Sequence, residues 1–211
     1  MAETQSDCRL ILVTTTGASA LDRLSAALGA GADIASVIIA TGGQNADPEA
    51  VKPLIAAAQK AGAAALLQDD PRLARTLKAD GVHLSLEADD GSYAEAREIL
   101  GSRFIVGADA GHLRDTAMRL GEAGADYVAF GLPEAQDIDT ARERRLDLVQ
   151  WWAEIFEVPV VALDVGDTLE AEDLARAGSD FVTVRLDPSQ SPADARDIML
   201  AMSAAINPAT R

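Results

Sequence analysis

Short apolar runs recur along the chain: Arg9–Thr15, Ile34–Ala40, Ala64–Gln68, Gly81–Ser85, Phe104–Ala108, Tyr127–Gly131, Pro159–Asp164 and Phe181–Leu186. They are nearly continuous in apolar character, the pattern of parallel strands covered on both faces. Between them, apolar residues return at helical spacing. In "DTAMRLGEAG" this puts Ala117, Leu120 and Gly121 on one side, and "SPADARDIMLAMSAAI" opens with Ser191 as N-cap and Pro192 at the first helical position. Four helical stretches close alike, at Gly29–Asp33, Leu77–Asp80, Glu122–Asp126 and Arg176–Asp180. In three of them a glycine suits the left-handed position after a helix, and the echo reads as one αβ loop repeated.

Eight strand–helix units without a composition break predict a single (β/α)8 TIM barrel over residues 1–211, one domain near the lower end of that fold's length, ~200 residues and up. A doubly wound open sheet is the alternative. The even units, and the lack of G-x-G-x-x-G after the first strand, favour the barrel. Barrel chemistry sits where strands end. Those ends carry Thr14–Thr16, Gly42–Gly43, Gln68–Asp70, Ser85 with Glu87, Asp109, Gly131, Asp164, and Arg185 with Asp187. The ring is polar and acidic, with Arg185 its one cation.

Charge sharpens this picture. A formal net charge of −16 excludes nucleic acid and anionic membrane surfaces as partners. With lysine only at positions 52, 60 and 78, all in helical stretches, any grip on pyrophosphate falls to arginine, backbone N–H groups or a metal. Aromatic residues make up 4%, so Ala, Val, Leu and Ile must build the core. The single cysteine, Cys8, precludes an internal disulfide and reads as a buried, inert thiol. The polar start lacks a signal-peptide pattern, and no apolar run reaches the ~18 residues of a membrane span, so a cytoplasmic protein is expected.

Three segments resemble thiamine-phosphate synthases and their relatives. "QDDPRLARTLKADGVHLSLEADD" (Gln68–Asp90) is similar to their N-D-D, short helix, G-A-D-G-V-H-L-G-Q-E-D region. "IVGADAGHLRDTAMRLGEAGADYVAFGLP" (Ile105–Pro133) resembles their G-V-S-x-H-T to G-A-D-Y-V-G-x-G-P segment, and "VPVVALDVGDTLEAEDLARAGSDFVTV" (Val158–Val184) their P-V-V-A-I-G-G-I to A-G-A-D-G-V-A-V segment. The resemblance implies a (β/α)8 barrel and a transferase joining hydroxymethylpyrimidine diphosphate to thiazole phosphate, with Mg2+ and release of pyrophosphate. Carried over residue by residue, it implies Asp69 as a metal ligand, Gln68 in place of the family's Asn, and substrate contacts near Asp109, Gly131 and Gly166. Ala88 stands where the second metal carboxylate belongs, leaving Asp89, or Glu87, to substitute if the loop shifts.

The departures share a direction. The family's cationic Q-x-R-E-K becomes "IIATGGQNAD" (Ile38–Asp47), where Gly42–Gly43 is either an anion nest or a βα loop. Asp109 replaces a diphosphate-handling Ser, Asp164 enters the G-G phosphate loop, and T-x-T-K gives way to the acidic "GLPEAQDIDTARERR" (Gly131–Arg145). Arg185 is the cation left for an anion. Blander readings stand beside these: Asp69 or Asp70 as cap of the helix from Pro71, His112 as a first-turn helix residue, and Arg142, Arg144 and Arg145 as a solvated face. The expectation is a synthase-like protein of thiamine biosynthesis with reduced or lost activity. The alternative is a non-catalytic barrel that binds a small cationic or thiazole-like ligand or acts through an oligomer surface. Of Trp151 and Trp152, helix amphipathicity buries one and turns the other partly outward, where it would seat a homodimer partner, unless both pack on the barrel.

Overall fold

The computed structural model describes residues 8–42, 46–86, 91–132 and 137–207. Its strands are β1 (Arg9–Thr15), β2 (Ile34–Ala40), β3 (Ala64–Gln68), β4 (Gly81–Leu84), β5 (Ile105–Asp109), β6 (Tyr127–Phe130), β7 (Val160–Ala162) and β8 (Phe181–Arg185). The alternating helices are α1 (Ala20–Leu28), α2 (Pro48–Lys60), α3 (Pro71–Leu77), α4 (Ser92–Leu100), α5 (Arg114–Glu122), α6 (Ile138–Ile155), α7 (Thr168–Arg176) and α8 (Pro192–Ile206). All strands pair in parallel, and β1 pairs with both β2 and β8. The sheet is therefore a closed barrel, and the open-sheet alternative is excluded.

Two apolar layers hold it. The outer one packs strands against helices through residues such as Leu10, Leu12, Val37, Ile39, Leu67 and Val182. The inner one fills the barrel with Ile11, Val13, Ile38, Leu66, Tyr127, Ala129, Val161 and Leu163. Successive strand residues face opposite sides, which is why the sets interleave along each strand. Tyr127 is the bulkiest inner side chain, and its neighbour on β5 must be small. A Cβ on Gly107 would lie 1.9 Å from Cζ of the Tyr127 ring.

The repeated helix ends have a common physical basis. Gly31, Gly124 and Gly178 all take positive φ, and Lys78 adopts the same left-handed turn at φ 59°. The aspartate that follows then grips the start of the preceding strand. The amides of Ala65, Val106 and Val160 each donate at 2.8 Å to the carboxylates of Asp80, Asp126 and Asp180. Each aspartate returns a bond from its own amide to the same residue's carbonyl. At the first loop, Asp33 instead pairs with the Arg9 side chain at 2.7 Å. Ser191 and Asp194 form a capping box at the start of α8, with Pro192 inside it.

Trp152 is fully buried and donates from Nε1 to Val158 O at 2.7 Å. Trp151 is half-buried, edge-on to Phe156 and covered by Arg114, whose guanidinium lies 4.6 Å from its ring centroid. Cys8 is 2% exposed, and burial pushes its thiol up to about 12, which leaves it inert. Among the described residues, no helix is long and apolar enough to cross a membrane.

Candidate active site

At the C-terminal ends of the strands lies a small pocket of about 110 Å³. Alternation along the strands decides much of its lining. Gln68 and Gly131 fall two residues beyond the inward-facing Leu66 and Ala129, while Asp109 and Arg185 fall four beyond Ile105 and Phe181, which pack on the inner cluster. Gln68, Asp109 and Arg185 line the pocket. Gly131 borders it: a Cβ there would stand 3.6 Å from Asp109 Oδ2 and 3.8 Å from Asp164 Oδ2. Four of the residues expected to bind substrate are thus brought together.

Two acids reach the mouth by another route. Leu163 faces inward, so the next side chain should face the helices. Asp164 takes a left-handed φ of 54°, and both residues line the pocket. Asp69, following inward-facing Gln68, does the same at φ 57°. Left-handed backbone is uncommon for residues carrying a Cβ, and Asp is among the few that tolerate it. The Asp69 carboxylate accepts from Ser85 at 2.7 Å twice, from the amide and from Oγ, and from Gln68 Nε2 at 3.2 Å. Asp70, not Asp69, caps α3, accepting from the Leu73 amide at 2.9 Å.

The electrostatics are those of an acidic cup. Burial, joined by the nearby Asp164 carboxylate, pushes the Asp109 carboxyl from 3.8 to about 6, although the Gly111 amide donates to it at 2.7 Å. Arg185 leans on Asp164 at 3.1 Å. Beneath the acids sits a pair absent from the sequence expectations: His83 Nδ1 meets the Tyr127 hydroxyl at 2.9 Å, with the rings stacked 5.9 Å apart. Desolvation pulls His83 down to about 4, so it is neutral near pH 7, and burial raises Tyr127. Their positions in apolar runs, in step with the inward residues, were the available signal.

Other expectations are redrawn. The Gly166 amide, expected to meet substrate, donates to Glu170 Oε2 at 2.7 Å. Arg145 is completely buried and Arg142 reaches Asp167 at 3.1 Å, so neither belongs to a solvated face. Their wheel position on α6 looked polar because the partner carboxylates come from α7. His112 lies in the loop before α5, not in its first turn. Gly42 has φ 77°, while Gly43, Glu87 and Asp89 lie outside the described residues.

Among the described residues, no group of three or more His, Cys, Asp or Glu side chains could hold a metal ion. Mg2+ asks for less: it is commonly held by one or two carboxylates plus substrate phosphate oxygens and water. Asp69, exposed at the end of β3, offers one such carboxylate.

The profile of the thiamine monophosphate synthase family matches residues 10–186. The chain belongs to that family. It is 36% identical over 192 residues to a thiamine-phosphate synthase of Erythrobacter litoralis, covering 87% of this chain and 89% of the relative. It is 38% identical over 193 residues to one of Rhodospirillum centenum, covering 85% and 88%. In backbone it is similar to a thiamine phosphate pyrophosphorylase of Pyrococcus furiosus, with a TM-score of 0.74 at 21% identity over 96% of each chain. It is also similar to tryptophan synthase of Mycobacterium tuberculosis, with a TM-score of 0.72 at 16% identity over 95% and 93%. At such identities the structural likeness speaks for the barrel and not for the reaction.

Proposed function

We propose that this chain serves thiamine biosynthesis as a synthase-type barrel acting on a pyrimidine diphosphate and a thiazole phosphate, with turnover below that of its curated relatives. Family membership carries the reaction class. One observation carries the reduction: Asp109 and Asp164 line the pocket, Asp69 stands beside it bound to the lining residue Ser85, and the pocket's cation, Arg185, is already paired with Asp164. Two like charges ~4 Å apart repel by roughly 4 kcal/mol at the effective dielectric of a protein surface, which weakens any hold on a diphosphate.

On this reading the C–O bond to pyrophosphate breaks and its electron pair leaves with the diphosphate. The thiazole nitrogen lone pair then forms the new C–N bond. Asp109 and Asp164 favour the electron-poor pyrimidine methylene, and Arg185 turns from Asp164 to the departing anion. Asp69 would hold Mg2+, with Asp89 as the second acid, and the ion when bound would offset diphosphate charge. Gln68 and the backbone at Gly131 orient the rings.

The test is thiamine phosphate formation from the two substrates with Mg2+, measured beside the E. litoralis relative. Turnover about tenfold or more below the relative, abolished by Asp69→Asn, is expected. Equal turnover would refute the reduction, and residual turnover indifferent to Asp69→Asn would remove the metal role. The facing carboxylates around Gly131 also favour a second reading, a site for a small organic cation. That reading requires a raised unfolding midpoint with an aminopyrimidine or thiazolium cation alone, and none with Mg2+ plus pyrophosphate.

A further inference from the structure

A buried ion pair holds the turn after β7 from both sides. Arg145 on α6 has no exposed surface, and Glu170 on α7 is 9% exposed. Arg145 donates from Nη1 to the carbonyl of Leu163 and pairs through Nη2 with Glu170 Oε1. The other oxygen, Glu170 Oε2, accepts from the Gly166 amide at 2.7 Å. One guanidinium–carboxylate unit thus grips residue 163 before Asp164 and residue 166 after it. Arg142, one turn earlier on α6, braces the unit at Glu170, 3.2 Å, and at Asp167, 3.1 Å. Asp167 caps α7 by accepting from the Glu170 amide at 2.9 Å.

Between the two grips stands Asp164 at φ 54°. A left-handed residue with a Cβ persists only where its surroundings over-determine it. Stability alone does not account for the pair. Removing two charges from water is costly, and packed apolar residues of similar volume are often as stable or more so. The Nε of Arg145 is buried without a hydrogen-bond partner. What the pair gives in return is geometric: with 163 and 166 fixed, Val165 packs on the outer core and the Asp164 side chain is left facing the mouth. We propose that Arg145 and Glu170 are positioning residues that lock the 163–166 turn and hold the Asp164 carboxylate against Arg185 and facing Asp109. The bearing of the lock on turnover rests on the synthase reading; its bearing on the geometry does not.

The decisive variant is the double substitution Arg145→Met/Glu170→Leu, which removes both charges and orphans neither. It is compared with Asp164→Asn, which sets the effect of losing that carboxylate alone, and with Glu170→Gln, which keeps an acceptor for Gly166. In the double variant the thermal midpoint should stay within about 5 °C of the original. Amide exchange at Gly166 should speed up about a hundredfold. The Asp109 carboxyl titration, followed by carbon NMR, should fall from about 6 to the Asp164→Asn value. Glu170→Gln should keep most of the Gly166 protection. Turnover should shift in the same direction as in Asp164→Asn, with a smaller change in KM, as a misplaced side chain requires. A folded double variant with Gly166 protection and Asp109 titration unchanged would overturn the proposal. If the double variant does not fold, Arg145→Lys decides by the same two readouts, since an ammonium cannot reproduce the planar two-point grip. If both readouts move while the unaltered protein makes no thiamine phosphate, the lock stands and the synthase reading falls.

Discussion

The two ends of this barrel use aspartate in opposite ways. At the N-terminal end, Asp80, Asp126 and Asp180 each sit on the backbone amide of a neighbouring strand, all at 2.8 Å. At the C-terminal end, Asp69 and Asp164 hold left-handed backbone, and Asp109 faces another acid with its carboxyl pushed up to about 6. The lower acids are satisfied by donors that the fold supplies in any case. Of the upper acids, Asp109 and Asp164 face each other and Asp69 is held by Ser85, while left-handed turns, one of them gripped by a buried ion pair, place Asp69 and Asp164. The same residue type therefore ties strands together where its carboxylate meets a strand amide, and charges the mouth where a strand end or a left-handed turn delivers it there.

The comparison breaks most visibly at Asp126. Asp126→Ala leaves the Val106 amide without its acceptor and parts Arg97, which now lies 2.7 Å from the carboxylate. An orphaned buried donor plus an unpaired, half-buried cation should cost roughly 2–4 kcal/mol, read by urea unfolding. A loss under about 0.5 kcal/mol would mean that the lower acids are no more structural than ordinary surface charge.

Asp109→Asn should act in the other direction. An acid whose pKa is higher folded than unfolded binds its proton more tightly when folded. Its contribution is most favourable below the unfolded value of 3.8 and is lost as pH rises through about 6. At pH 8 the ionised Asp109 is therefore a burden, and the asparagine variant should be more stable by about 1–3 kcal/mol. The advantage should shrink as pH falls from about 6 and vanish below 3.8. Asparagine keeps an oxygen for the Gly111 amide but gives up the second acceptor that meets the Gly131 amide, so it is the pH dependence of the difference that isolates the charge. Paired unfolding curves across that range check it, and a pH-independent difference would show that burial of Asp109 is not the cause.

The barrel itself was plain in the sequence, because eight apolar runs and a repeated helix-ending motif are local patterns. The strand ends at Gln68, Asp109, Gly131 and Arg185 were also legible, since two-residue alternation carries the inward face to the ends of the strands. What alternation cannot show is a residue that leaves it. Asp164 enters the mouth by a left-handed turn, and the cause of that turn lies on two other helices. Arg145 reads as an ordinary member of a solvated face, because its meeting with Glu170 depends on how α6 and α7 pack. His83 and Tyr127 lie 44 residues apart in strands that do not adjoin, so only the closed barrel pairs them.

Asp164→Asn gives the smallest change in stability and the cleanest test of what the upper acids are for. Asparagine shares aspartate's tolerance of left-handed backbone, so the turn held at residues 163 and 166 should keep its shape. The pair with Arg185 is largely exposed, with side chains 45% and 58% accessible, and such pairs are worth ~0–1 kcal/mol. Stability should therefore change by less than about 1 kcal/mol, in contrast with Asp126→Ala. Anion binding should change more. The substitution removes a like charge from the mouth and frees Arg185, and pyrophosphate with Mg2+ should bind about fivefold to tenfold more tightly by calorimetry, most clearly at low salt. An unchanged affinity would mean that the acidity at the end of β7 does not limit anion binding. The difference between the two ends of the barrel would then lie in backbone geometry rather than in charge.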